Sequence, residues 1–286
     1  MRNKKRSQFW ESAGLNNYTF RQYYNRMVEV AISEFEYVNA PPSIDQRFME
    51  LVLFSEGKAV WFYDDVMNYL CLRCTIGGKM SVYRIPKMRM AIADNGYRKS
   101  LNNENSVIIY NNFLRTNSML DVEMYARRLY NLDRTIDVNV NAQKTPILIK
   151  CSENQRMTMK NLYMKYEGNE PVIFADDALN TDGIKVINTS APYVADRLYD
   201  LRTKVWNEAM TYLGVDNIGN EKKERQITNE VNASLGAVKA YRNIRLEARR
   251  AGCKEIVKLF PDLEGLDCRY RDDVADLANA LREEVI

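Results

Sequence analysis

Apolar side chains recur at every third or fourth position in three long stretches of the chain. The first carries Phe20, Tyr24, Met27, Ala31, Phe35 and Val38. The second carries Val122, Tyr125, Leu129, Leu132, Ile136 and Val140, and the third Val194, Leu198, Leu201, Val205, Ala209 and Tyr212. Mixed spacings of three and four follow one face of an α-helix, so each stretch predicts an amphipathic helix. Asn39-Ala40-Pro41-Pro42 predicts the end of the first helix. Ser43-Ile44-Asp45-Gln46 then reads as a capping box for a shorter helix that ends near Gly57. Ser118 and Asp121 can cap the second long helix, and Thr145-Pro146 ends its extension. Pro192 suits the first turn of the third, and Gly214 stops it.

Between these stretches the period changes. AVWFY (Ala59–Tyr63), NYLCLRCT (Asn68–Thr75), MSVYRI (Met80–Ile85) and SVIIY (Ser106–Tyr110) predict short strands, as do PILIKC (Pro146–Cys151), PVIF (Pro171–Phe174) and IKVI (Ile184–Ile187). Gly77-Gly78, Asn95-Gly96 and Asp182-Gly183 predict turns beside them. A helix with Met157, Leu162 and Tyr166 interrupts the second β group, and Thr228–Ala251 and Asp272–Val285 are helical candidates in the tail. The β-rich stretches 58–115 and 145–191 are thus bracketed by helices. That pattern predicts an α+β fold: a stem of long helices, a small barrel-like β-rich module at one end, and a further helical region.

Composition narrows the function classes. The chain has 286 residues, enough for one large domain or two smaller ones. With 46% hydrophobic and 28% charged residues, disorder throughout is excluded. A net charge of +3 is too small to argue nucleic-acid binding from bulk charge, so local patches must carry that argument. No apolar run is long enough to span a bilayer, and the basic start MRNKKRSQFW is not followed by an apolar core of a signal peptide. Five scattered cysteines predict free thiols in a reducing compartment. The absence of histidine excludes Ser-His-Asp and Cys-His catalysis and any His-ligated metal, while leaving carboxylate and Mg²⁺ chemistry open.

Several short constellations stand out against that background. Cys71-Leu-Arg-Cys74 has no second ligand pair, and on a strand its two thiols would face opposite ways, so it reads as two buried thiols. Gly77-Gly78-Lys79-Met80-Ser81 lacks the first glycine and the Ser/Thr of a phosphate loop and reads as a hairpin turn. Asp64-Asp65, Asp176-Asp177 and Asp272-Asp273 could serve a Mg²⁺-dependent nucleic-acid enzyme only if several carboxylates converged; otherwise they form turns and caps. Arg2, Lys4, Lys5 and Arg6 make a basic arm ahead of Phe9 and Trp10, suited to phosphates. Lys222, Lys223 and Arg225 stand in the Gly/Asn-rich stretch Gly214–Val231, too loose to pack. In a monomer that stretch is a solvated loop, whereas in a closed ring its charges repeat as a collar.

The longer blocks NAPPSI (Asn39–Ile44), VNVNAQKTPILIK (Val138–Lys150), KYEGNEPVIFADDAL (Lys165–Leu179), APYVADRL (Ala191–Leu198) and VWNEAMTYLGVDNIGNEKKERQITNEV (Val205–Val231) carry a resemblance. The sequence resembles the upper collar proteins, the head–tail connectors or portals, of small short-tailed bacteriophages with protein-primed linear genomes. The resemblance covers most of the chain and is less clear beyond Ser234. It implies a non-enzymatic, cofactor-free portal: a homo-oligomeric, dodecameric ring around a channel for double-stranded DNA. The implied place is the capsid vertex of the virion, after assembly in the host cytoplasm. The implied partners are a packaging ATPase, a structural RNA, capsid and scaffolding proteins and a lower collar or tail protein, with no membrane.

By this resemblance 1–16 is a basic arm, 17–57, 116–144 and 192–213 are stem helices with one following helix, and 58–115 and 145–191 build the narrow end. Residues 214–231 are the channel loop and 232–286 the wide end. Lys222 and Lys223 match paired channel lysines and Arg197 another basic channel position; Arg225 lies in the same loop. Asn188 replaces a family lysine, with Lys185 nearby to supply the charge. Arg2, Lys4, Lys5 and Arg6 match an arm that grips the packaging RNA. A collar ring that never touches DNA is the blander alternative.

Overall fold

The computed structural model describes residues 2–143, 147–149, 184–186, 192–215 and 228–271. The helices are α1 (Arg2–Ser33), α2 (Gln46–Glu56), α3 (Met119–Ala142), α4 (Ala195–Leu213) and α5 (Thr228–Leu259). The strands are β1 (Phe35–Val38), β2 (Lys58–Asp64), β3 (Asn68–Met80), β4 (Pro86–Ile92), β5 (Arg98–Asn102), β6 (Ser106–Tyr110), β7 (Ile147–Ile149), β8 (Ile184–Val186) and β9 (Asp267–Tyr270). Helix and strand are mixed, and the fold is α+β with a small sheet module. The chain divides into two compact units, 1–131 with 202–286, and 132–201.

In the first unit an antiparallel sheet runs β5-β4-β3-β2-β6. One face, with Ala59, Trp61, Cys71 and Ile109, shares a core with Met49 and Leu53 of α2 and with Cys253 and Ile256 of α5. The opposite face holds Val60, Phe62, Cys74, Ala91 and Leu101. Cys71 and Cys74 therefore lie in separate cores on the two faces, as their odd spacing on a strand requires. The second unit contains β7 paired antiparallel with β8.

Several local expectations are corrected. The first helix stops at Ser33, and Phe35–Val38 pairs with Asp267–Tyr270 as a two-stranded ribbon. The helical spacing of Phe35 and Val38 is coincidental; Phe35 and Tyr37 point into the core from a strand. The cap of α2 is Asp45, whose carboxylate accepts from Phe48 N at 3.0 Å. Ser43 is not the cap, because the Gln46 amide instead pairs with both backbone groups of Tyr37. Gly77-Gly78 is not a turn. It lies inside β3, where Gly78 at φ +73° accompanies a bulge, and the reversal comes at Ser81–Ile85.

Helix α5 also runs through Gly252 to Leu259. A Cβ there would sit 3.1 Å from Ile109 Cγ1, so the missing side chain lets α5 approach β6. The five-stranded sheet packs with α2 and α5 in the first unit, while β7 and β8 lie in the second, 132–201.

Candidate nucleic-acid interface

Helix α4 delivers the chain to the lysine-bearing stretch, and its end is built tightly. Gly214 takes φ +82°, a left-handed value that favours glycine. Gly214 N donates to Thr211 O and Val215 N to Met210 O, both at 3.0 Å, the paired bonds of a Schellman motif. The remaining carbonyls are taken by α5. Arg245 donates to Leu213 O at 3.2 Å and also to Tyr212 O. Arg242 Nε and the Tyr270 hydroxyl both donate to Gly214 O at 3.3 Å, and the Arg242 guanidinium stacks 3.7 Å from the Tyr270 ring. The chain leaves α4 and re-enters at Thr228 in the helix that holds the exit.

Beneath this root lies a buried charge network. Arg245 pairs with Glu34 at 3.1 Å. Arg249 grips both oxygens of Glu50 at 2.8 and 2.7 Å, donates to Asn111 O at 2.9 Å, and lies over the Phe35 ring. Tyr37 adds a hydroxyl to Glu50 at 2.8 Å. Both Glu50 oxygens are hydrogen-bonded, whereas Glu34 Oε1 has no hydrogen-bond partner among the described residues. Burial pushes the Glu34 carboxyl up to about 7, against the pull of Arg245 and Arg249. Arg242, Arg245 and Arg249 repeat at the three-and-four spacing of a helix face. That spacing is a readable signal, but a cationic stripe is ordinarily solvated, so the sequence alone does not point to a buried network.

The sequence-predicted residues are distributed as follows. Lys222, Lys223 and Arg225 lie outside the described residues, as do Asn188, Asp176-Asp177 and Asp272-Asp273. Arg197 is exposed on α4 and has no ion pair among the described residues. Lys185 pairs with Leu148 in the β7–β8 ribbon. Arg2, Lys4, Lys5 and Arg6 belong to the opening turns of α1. Asp64 is committed to structure: its oxygens accept from Tyr97 at 2.6 Å, Lys99 at 3.0 Å, Val66 N at 3.1 Å and Met67 N at 3.2 Å. Those bonds, led by Tyr97, hold its carboxyl well below the usual range. Among the described residues no group of His, Cys, Asp or Glu could hold a metal ion, and no helix is long and apolar enough to cross a membrane.

The family model described as Phage Connector (GP10) matches residues 3–273. Among solved structures, the chain is similar to one from the portal and tail of native bacteriophage P68, at 19% identity over 96% of this chain and 97% of that one, with a TM-score of 0.49. It is also similar to an HK97 family phage portal protein from Corynebacterium diphtheriae, at 12% identity over 92% and 95% of the two chains and a TM-score of 0.43. A chain in the virion of a native gene transfer agent particle matches at 9% identity over 92% and 83%, with a TM-score of 0.49. The family match spans nearly the whole sequence, and the chain belongs to the phage connector family.

Proposed function

We propose that this connector is a ring at the head–tail junction of the virion, joining capsid to tail and enclosing a channel for double-stranded DNA. The observation that carries the reading is the connector match over residues 3–273. The anchored root at Gly214 supports it at the level of mechanism. A loop meant to touch moving DNA needs free charges on a fixed post, and the end of α4 that leads into 216–227 is held by Arg242 and Arg245 of α5. Lys222, Lys223 and Arg225 face DNA in this reading, with Arg197 and Lys185 as further basic positions. Each contact is weak, because every phosphate bound strongly would deepen a well that translocation must leave.

Exposed apolar side chains support assembly. In the second unit Val138, Val140, Tyr193, Tyr199 and Leu201 are all exposed. Such surface on a single chain suits burial against neighbouring copies. A packaging ATPase and a structural RNA are proposed partners, the latter at Arg2, Lys4, Lys5 and Arg6. The protein acts without chemical turnover, and Asp64 is already spent on four hydrogen bonds.

The test is electron microscopy of the purified protein together with its mass in solution. Rings with a central hole are expected, and DNA in packaged particles should crosslink to 216–227. A uniform monomer or dimer across salt and concentration overturns the ring. Rings in which that loop never crosslinks to DNA leave a collar without a channel role.

A further inference from the structure

A groove of about 400 Å³ lies between β6, the start of β4 and α5, walled by Ile85, Val107, Ile108 and Ala248. Arg89 lines it and is buried, at 5% exposure. Among the described residues its Nη atoms reach only the carbonyls of Ser106 and Pro86, each at 3.3 Å, the long end of a hydrogen bond, and its Nε has no partner and no carboxylate pairs with it. Burial pulls its proton affinity down, as an uncompensated cation requires.

A desolvated guanidinium without a counterion is costly, so the groove is incomplete in one chain. Two more arginines adjoin its lining residues: Arg84 precedes Ile85, and Arg115 lies over the Tyr110 ring and donates to Arg84 O at 3.3 Å; both are exposed without a carboxylate partner among the described residues. Glu255 on the rim is engaged by Lys258 at 3.1 Å.

The same molecule carries a complementary knob. The turn between β2 and β3 presents Asp65, exposed and without an ion pair among the described residues. Beside it Val66 is 87% exposed and Met67 42%. Asp64 Oδ1 pins the turn by accepting from Val66 N and Met67 N. A carboxylate with two aliphatic neighbours on a fixed turn matches an arginine at the floor of an aliphatic groove.

The pair cannot meet within one chain. The turn opens β3 at Asn68, whereas Arg89 is paired with Ile76, about 25 Å of strand further on. A DNA phosphate is a poorer occupant, because the walls are apolar and the central cation is recessed. We propose that the Arg89 groove receives the Asp65–Met67 turn of a second copy of this chain. Knob and groove are different surfaces, so the contact is head-to-tail and propagates around a ring. The proposal rests on the ring reading above.

The experiment measures ring yield of the full chain by mass and microscopy at fixed salt. Wild type, Asp65→Arg, Arg89→Glu and the double reversal are compared, with thermal melts to confirm folding. Asp65→Arg, on an exposed turn, should lower ring yield about tenfold or more without lowering the melt. The double variant should recover much of it. Wild-type rings unaffected by Asp65→Arg overturn this proposal alone, and so does a double variant no better than either single one. A wild type that forms no rings removes the ring reading and this contact together.

Discussion

Glu34 shows how one buried residue can set a pH response. Its carboxyl is raised to about 7 by burial, so between the unfolded value of 4.5 and 7 the folded chain binds a proton that the unfolded chain releases. Stability from this group is full below the unfolded value and falls as pH rises through 7. Asp64 has the opposite sign, since its lowered carboxyl stabilises the fold above its unfolded value and loses that support in acid. We expect Glu34→Gln, which keeps an acceptor for Arg245, to flatten the decline between pH 4.5 and 7 in urea titrations. A wild-type and variant pair with parallel pH profiles there would remove Glu34 as the cause. Arg249 is a different case, because its partner Glu50 is equally buried. Arg249→Ala should cost about 3–5 kcal/mol in the same assay, since it strands a carboxylate. A loss under about 1 kcal/mol would mean that water reaches Glu50.

Elements differ in what makes them form, and that decides how legible each one is. The helices within the three amphipathic stretches and the stop at Gly214 follow from period and glycine, because helices are local, whereas Phe35 and Val38 share the spacing and lie on a strand. Strands β4 and β5 do not show in the period. Along Pro86–Ile92 the alternation is inverted, with Arg89 and Ala91 inside while Met88 and Met90 face out. The β1–β9 ribbon joins residues more than two hundred positions apart, and nothing in either four-residue segment announces its partner. The lysines of the candidate site are readable as charges in a loose stretch, but the arginine root is not, because burial of Arg245 and Arg249 depends on Glu34 and Glu50. The glycines of α5 test the same distinction. Gly236 has nothing within 4 Å of an added Cβ, so Gly236→Ala should stabilise by about 1 kcal/mol through helix propensity. Gly252 faces Ile109 at 3.1 Å, so the same gain is offset by about 1–3 kcal/mol of overpacking. Thermal melts should therefore move in opposite directions or leave Gly252→Ala unchanged; equal gains at both sites would show that α5 can back away from β6.

At the scale of the whole molecule, the proposed ring changes what a mild charge of +3 means. A single chain with that balance has little pull on DNA. A ring repeats every basic loop by symmetry, and the field inside a low-dielectric channel sums the copies. In the proposed ring, two or three cations per chain would suffice for a collar, on a root that Arg242 and Arg245 hold at the end of α4. Replacing Lys222 and Lys223 together by alanine removes two charges and leaves Gly214, Arg242 and Arg245 unchanged in sequence. Ring yield and thermal stability should stay at wild-type values. Binding of double-stranded DNA should weaken, and the slope of log affinity against log salt should become shallower by about 0.9 for each phosphate that is no longer neutralised. If these lysines also hold DNA against backward slippage in the proposed channel, particles filled with the variant should leak packaged DNA. Normal retention by well-assembled variant particles, together with an unchanged salt slope, would remove Lys222 and Lys223 from the proposed DNA-contacting role.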